Sequence, residues 1–135
     1  MNKALQNSLA LIFGLIIGAI VNMLIVSFGP ALIAPPEGVD VNDIESIKAN
    51  LYLYSPIQFL IPFLAHALGT LTGALVTAKI AKSHQLTFAL IVGVFFLFGG
   101  IMMVVMLPTT PIWFILLDLL VAYIPMGYLG WKLVR

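Results

Sequence analysis

Residues 59–80 read Phe59-Leu60-Ile61-Pro62-Phe63-Leu64-Ala65-His66-Ala67-Leu68-Gly69-Thr70-Leu71-Thr72-Gly73-Ala74-Leu75-Val76-Thr77-Ala78-Lys79-Ile80. This is the roughly 20-residue apolar run that about 30 Å of hydrocarbon requires. It nevertheless carries His66 in mid-span. An ionisable side chain at that depth is costly, so it marks a functional candidate by default. Small residues recur beside it at Ala65, Gly69, Gly73, Thr77 and Ala81. That four-residue ladder lets a second backbone approach closely.

Working outward, three more segments have the same character. The four spans read as 4–28, 57–81, 86–107 and 112–133, and the loop 29–55 joins the first two. Of the 135 residues 62% are hydrophobic and only 8% are charged. Soluble domains carry roughly 25% charged residues, so the solvent of this surface is lipid. The predicted fold is therefore all-α: a single-domain, four-helix transmembrane bundle whose principal partner is the lipid bilayer. The net charge of +1 gives no case for nucleic acid. With no cysteine and two histidines, the chain is short of the three or four ligands of a typical zinc site, and no metal or cofactor is expected. No phosphate loop, dinucleotide fingerprint or nucleophile elbow occurs, so no enzyme is expected either.

Charge placement orients the bundle. Lys3 precedes the first span, Lys79 and Lys82 lie at the second connection, and Lys132 and Arg135 close the fourth. Five of the six cations thus fall on one side. The positive-inside rule puts both termini in the cytoplasm. A secretory signal is not expected in residues 1–34, whose apolar run is too long for one.

The outer loop holds Glu37, Asp40, Asp43 and Glu45. Val41, Ile44, Ile47 and Leu51 recur at helical spacing, with Asn42 and Glu45 placed as a capping box. A short amphipathic helix over 40–52, lying on the outer membrane surface, is expected. Its acids read mainly as caps and a solvated face, with a weak cation site as the functional alternative.

The halves share a pattern. Ser8-Leu9-Ala10-Leu11-Ile12-Phe13-Gly14 parallels Thr87-Phe88-Ala89-Leu90-Ile91-Val92-Gly93, and Pro56-Ile57-Gln58-Phe59 parallels Pro111-Ile112-Trp113-Phe114. Tandem duplication of a two-helix hairpin would produce this.

Three polar residues interrupt the spans: Asn22, His66 and Asp118. At about 1.5 Å per residue they lie roughly 9–14 Å below the outer ends of their helices, at similar depth. His66 and Asp118 are expected to pair, with Asn22, Gln58 and Thr70 completing a small polar cavity. Imidazole changes charge readily near neutrality, so the pair could relay a proton or hold a ligand's polar head. The plainer alternative is a polar clamp between helices. Pro62 lies four residues before His66 and is expected to kink the helix. Gly14 and Gly18 on span one match Gly69 and Gly73 on span two, and would pack against each other or against a symmetry mate.

The segments Pro35-Pro36-Glu37-Gly38-Val39-Asp40, Glu45-Ser46-Ile47-Lys48-Ala49 and Pro62-Phe63-Leu64-Ala65-His66-Ala67-Leu68-Gly69-Thr70 resemble an uncharacterised group of small bacterial four-span membrane proteins. The resemblance covers the whole chain and implies a bacterial inner membrane, but no activity. Small multidrug transporters share the size and helix count, yet their first-span glutamate is missing here. The reading that follows is a non-enzymatic assembly or accessory subunit, in a homo-oligomer or a larger complex. The alternative is a small transporter or channel for protons, ions or a small amphiphile, built on His66 and Asp118.

Overall fold

The computed structural model describes residues 1–135. It is all-helical: α1 (Lys3–Phe28), α2 (Ile44–Asn50), α3 (Leu60–Ile80), α4 (Gln85–Met106), α5 (Ile112–Val121) and α6 (Ile124–Lys132). Four segments are long and apolar enough to cross a membrane: α1, α3 with the 3₁₀ turn before it, α4, and α5 with α6. The expected spans are therefore present, and both termini lie at the same end of the bundle as the α3–α4 turn.

The hub is α3, which packs on α1, α4, α5 and α6. Its seam with α1 is the most extensive, and the two small-residue ladders make it. A Cβ on Gly18 would come 2.7 Å from the Gly69 carbonyl oxygen, and one on Gly73 would come 2.7 Å from that of Gly14. Such backbone approach is how helices gain dispersion contact in lipid, where apolar burial contributes little. Thr77, fully buried, donates from Oγ1 to the Ala10 carbonyl at 3.2 Å. At the terminus end Asn7 closes the seam: its Nδ2 donates to Ser83 Oγ at 2.8 Å and its Oδ1 accepts from the Lys82 N–H at 2.9 Å. The ladders are thus filled within one chain and leave no glycine groove for a symmetry mate.

The second hairpin repeats the scheme. A Cβ on Gly93 of α4 would meet the Tyr123 carbonyl at 3.0 Å, and one on Gly127 of α6 would meet the Ala89 carbonyl at 3.1 Å. Gly14 and Gly93, equivalent in the two sequence matches, each face the other helix of their own hairpin.

Three local expectations are corrected. First, α3 begins at Leu60, so Pro62 sits in its first turn, where a missing N–H costs nothing; α3 runs unbroken to Ile80. The other kink that the sequence leads one to expect, at Tyr123-Ile124-Pro125-Met126-Gly127 in the fourth span, is present. There Tyr123 leaves helical geometry (φ −118°, ψ −77°), and Pro125 can neither donate to nor clear the carbonyl four residues back. Second, the loop helix spans only Ile44–Asn50 and is capped by Asp43, whose Oδ1 accepts from the Glu45 N–H at 3.1 Å. Asn42 is instead held in a turn by Asp40 Oδ1. Third, α2 folds over the end of the bundle. Ile44 and Ile47 pack on Leu51, Phe59, Leu107 and Phe114, so its apolar face is spent on protein rather than on the membrane surface.

Candidate functional site

Packing differs sharply along the bundle. Toward the termini, Ala74, Ala78, Ala89 and Val92 are fully buried and close-packed. Toward the loop lies a cavity of about 200 Å³. Its walls are mainly apolar, including Val26, Ile33, Ile61, Met103, Val104 and Ile115, and it is covered by Val41, Ile47, Leu51 and Tyr54 of the loop. Four polar side chains besides Tyr54 reach it: Gln58, Thr110, His66 and Asp118.

His66 and Asp118 meet as expected. His66 Nδ1 lies 2.8 Å from Asp118 Oδ1 and 3.0 Å from Oδ2. Asp118 is only 4% exposed. Its second partner is Tyr123, whose hydroxyl donates to Oδ2 at 2.9 Å. The Tyr123 ring also stacks on the His66 imidazole, with centroids 5.8 Å apart and planes 29° from parallel. Thr70 Oγ1 donates to the His66 carbonyl at 2.8 Å, which steadies the helix turn carrying the imidazole but touches neither ionisable side chain.

Tyr123 is the residue that sequence reasoning missed. It reads as part of a Tyr-x-Pro kink, and the kink is what delivers it: leaving the helix at Tyr123 turns the ring back toward Asp118. Gly100 on α4 makes the space, because a Cβ there would lie 2.6 Å from Tyr123 Cζ. A glycine facing a kinked aromatic was the available signal.

Two expected members stand apart. Asn22 has no hydrogen bond to His66 or Asp118. It lies in the α1–α3 seam, with its Cβ 3.0 Å from where a Cβ on Gly69 would stand. α3 packs on both α1 and α5, which share no comparable seam of their own. Gln58 lines the cavity mouth with both ends of its amide engaged. Nε2 donates to the Ala34 carbonyl at 3.0 Å, and Oε1 accepts from the Ser55 N–H at 2.8 Å. It ties the loop to the start of the second span. The loop acids do not converge: Asp40 and Asp43 serve turns and caps, and no three His, Asp or Glu side chains cluster anywhere in the chain.

Asp118 engages the imidazole through Nδ1 alone. Nε2 is then left with no partner in the chain. No buried nitrogen or oxygen is unpaired, so Nε2 is accessible, and His66, whose side chain is 19% exposed, lines the cavity. A buried carboxylate thus holds the imidazole of a residue that lines an apolar hollow. Comparison with protein-family models, with curated proteins and with solved structures finds no match. The functional reading therefore rests on geometry.

Proposed function

We propose that this chain is a non-enzymatic membrane protein that holds a small amphiphile beneath its outer loop, with the polar end on His66. The observation that supports this most directly is an imidazole that lines an apolar cavity with Nδ1 held by Asp118 and Nε2 unpaired. A pure helix clamp would need only Nδ1, Asp118 and Tyr123. Concave, mainly apolar sites with one or two fixed polar groups are how proteins bind small molecules. The close-packed alanines toward the termini favour a one-sided binding pocket over an open pore. An accessory subunit that presents or senses such a molecule fits this description, and a small carrier or channel built on the same pair is the alternative. Assembly with other chains would use lipid-facing surfaces, since the glycine ladders are occupied.

The test is mass spectrometry of lipids retained by protein purified in nanodiscs, comparing wild type with the cavity-filling Val104→Phe. A molecule enriched over bulk lipid in wild type and absent from the variant is expected. No enrichment, or equal enrichment in both, would overturn the proposal. Liposomes containing a pH-sensitive dye should show no proton flux under an imposed gradient; flux would favour the transporter.

A further inference from the structure

We infer that the lipid-facing furrow between the second and fourth spans is a docking site for one acyl chain of a bilayer lipid, in the leaflet at the loop end. It is a second site, separate from the cavity, and does not depend on what the cavity holds.

The furrow follows from the starts of two spans. On the second, Pro56, Leu60 and Phe63 recur at four and three residues; on the fourth, Trp113 and Leu117 are four apart. Each set is one stripe along its helix. The two stripes border a groove of about 440 Å³. Pro56 to Phe63 covers roughly 10 Å at about 1.5 Å per residue. That is most of the roughly 15 Å that one leaflet contributes to the hydrocarbon. The long axis of the groove is therefore that of the surrounding lipid tails.

An aromatic floor separates this space from the cavity. Phe59 and Phe114 line both, are 5% and 8% exposed, and touch with ring centroids 4.7 Å apart. Trp113 packs edge-on against both, with centroids 5.5 and 5.8 Å away. The groove is thus open on the bilayer side, where Leu60, Trp113 and Leu117 are exposed.

Composition chooses the occupant. No glycine, alanine, serine or threonine lines the groove. Helices that meet in lipid do so through small residues, as α1 and α3 do through Gly14, Gly18, Gly69 and Gly73. A helix of a second copy, about 10 Å across, would stand off these bulky walls and leave voids. A polymethylene chain is narrow, bends to fit, and gains dispersion contact from the rings and branched side chains on both sides. No charged residue lines the groove, and the only polar side-chain group there is the Trp113 indole N–H. The site therefore takes the tail and leaves the headgroup unselected.

The experiment uses nanodiscs of phosphatidylglycerol doped with the same lipid carrying a mid-chain diazirine, and assigns photolabelled residues by fragmentation mass spectrometry. Leu60 and Leu117 in the groove are 39% and 41% exposed. Leu116, four residues into α5, and Leu24, four residues before the end of α1, lie outside it and are 54% and 49% exposed. A freely exchanging lipid shell would label the second pair more. A docked chain should reverse the order, with groove label about threefold above the open faces, equivalent to about 0.7 kcal/mol. A handful of added carbon contacts supplies that much. Leu60→Trp, a change on the lipid face, fills the groove and should bring the label at Leu117 down to that at Leu116; Ile57→Trp should do the same from the other end. Labelling that follows exposure, or a groove excess that survives both fillings, overturns the proposal. So does an intermolecular disulfide at Leu60→Cys, in a chain with no other cysteine, that forms in place of the lipid label: a second copy then fills the groove.

Discussion

At the scale of single residues, Tyr123 and Asp118 carry different weights. Tyr123→Phe removes one donor from a carboxylate that keeps His66. Hydrogen bonds between membrane helices contribute about 0.6 kcal/mol on average and up to about 1.7, so a loss in that range is expected in denaturant unfolding of the detergent-solubilised protein. Asp118→Ala strands two donors at once, Nδ1–H of His66 and the Tyr123 hydroxyl. It should cost clearly more, about 2–4 kcal/mol. A double-mutant cycle between positions 66 and 123 should show coupling, carried by Asp118 and by the stacked rings. Equal costs for the two single changes would mean that the carboxylate is solvated rather than held. The pairing of His66 with Asp118 was legible in the sequence because ionisable groups are conspicuous against apolar spans. Tyr123 was not: the kink at Tyr123–Gly127 is readable from Pro125, but a tyrosine has an apolar body, and where the broken turn sends its ring depends on packing against Gly100. Outside the spans, burial pushes the Tyr54 hydroxyl above its ordinary pKa, so it stays protonated as part of the cavity cover.

At the scale of elements, glycine placement separates packing from mere composition. Gly18 and Gly99 look equivalent in sequence, each inside an apolar helix. A Cβ on Gly18 would strike the backbone of Gly69 and the Phe96 ring at 2.9 Å, whereas a Cβ on Gly99 meets nothing within 4 Å. Gly18→Ala should therefore destabilise by about 1–3 kcal/mol through forced helix separation. Gly99→Ala should be neutral or stabilise by up to about 1 kcal/mol through helix propensity. Unfolding midpoints in mixed micelles would check both. If Gly18→Ala instead changed only oligomer size, the seam would be between chains. The ladders were readable because a four-residue spacing is a face. The start of α2 was not, since Asp40, Asn42 and Asp43 are all competent caps, and only the docking of Ile44 and Ile47 selects one.

At the scale of the whole molecule, four crossings put Lys48 and Lys82 at opposite ends. The chain has no cysteine, so Lys48→Cys and Lys82→Cys give clean single labels. A membrane-impermeant maleimide on intact cells should label position 48 and reach position 82 only after permeabilisation; the opposite pattern would invert the charge-based orientation. The uneven packing predicts a matching gradient in backbone hydrogen exchange. The loop, α2 and the 3₁₀ turns at 51–59 should exchange well before α3 residues 69–78. Uniform protection would argue against the hollow end being the looser one.

The position of α3 as hub also has a consequence for how the chain is made. His66 and Asp118 are 52 residues apart, and they belong to different hairpins. When the first hairpin emerges from the ribosome, its glycine seam can close at once, because both ladders are already present. His66 at that stage faces lipid with no acid and no tyrosine beside it. The second hairpin is thus a late-arriving companion, and a nascent chain arrested before Ile112 should remain open to the insertion machinery or to quality-control proteases. Ribosome-arrested lengths ending before and after Tyr123, compared for protease resistance in membrane vesicles, should show protection appearing only with the longer product.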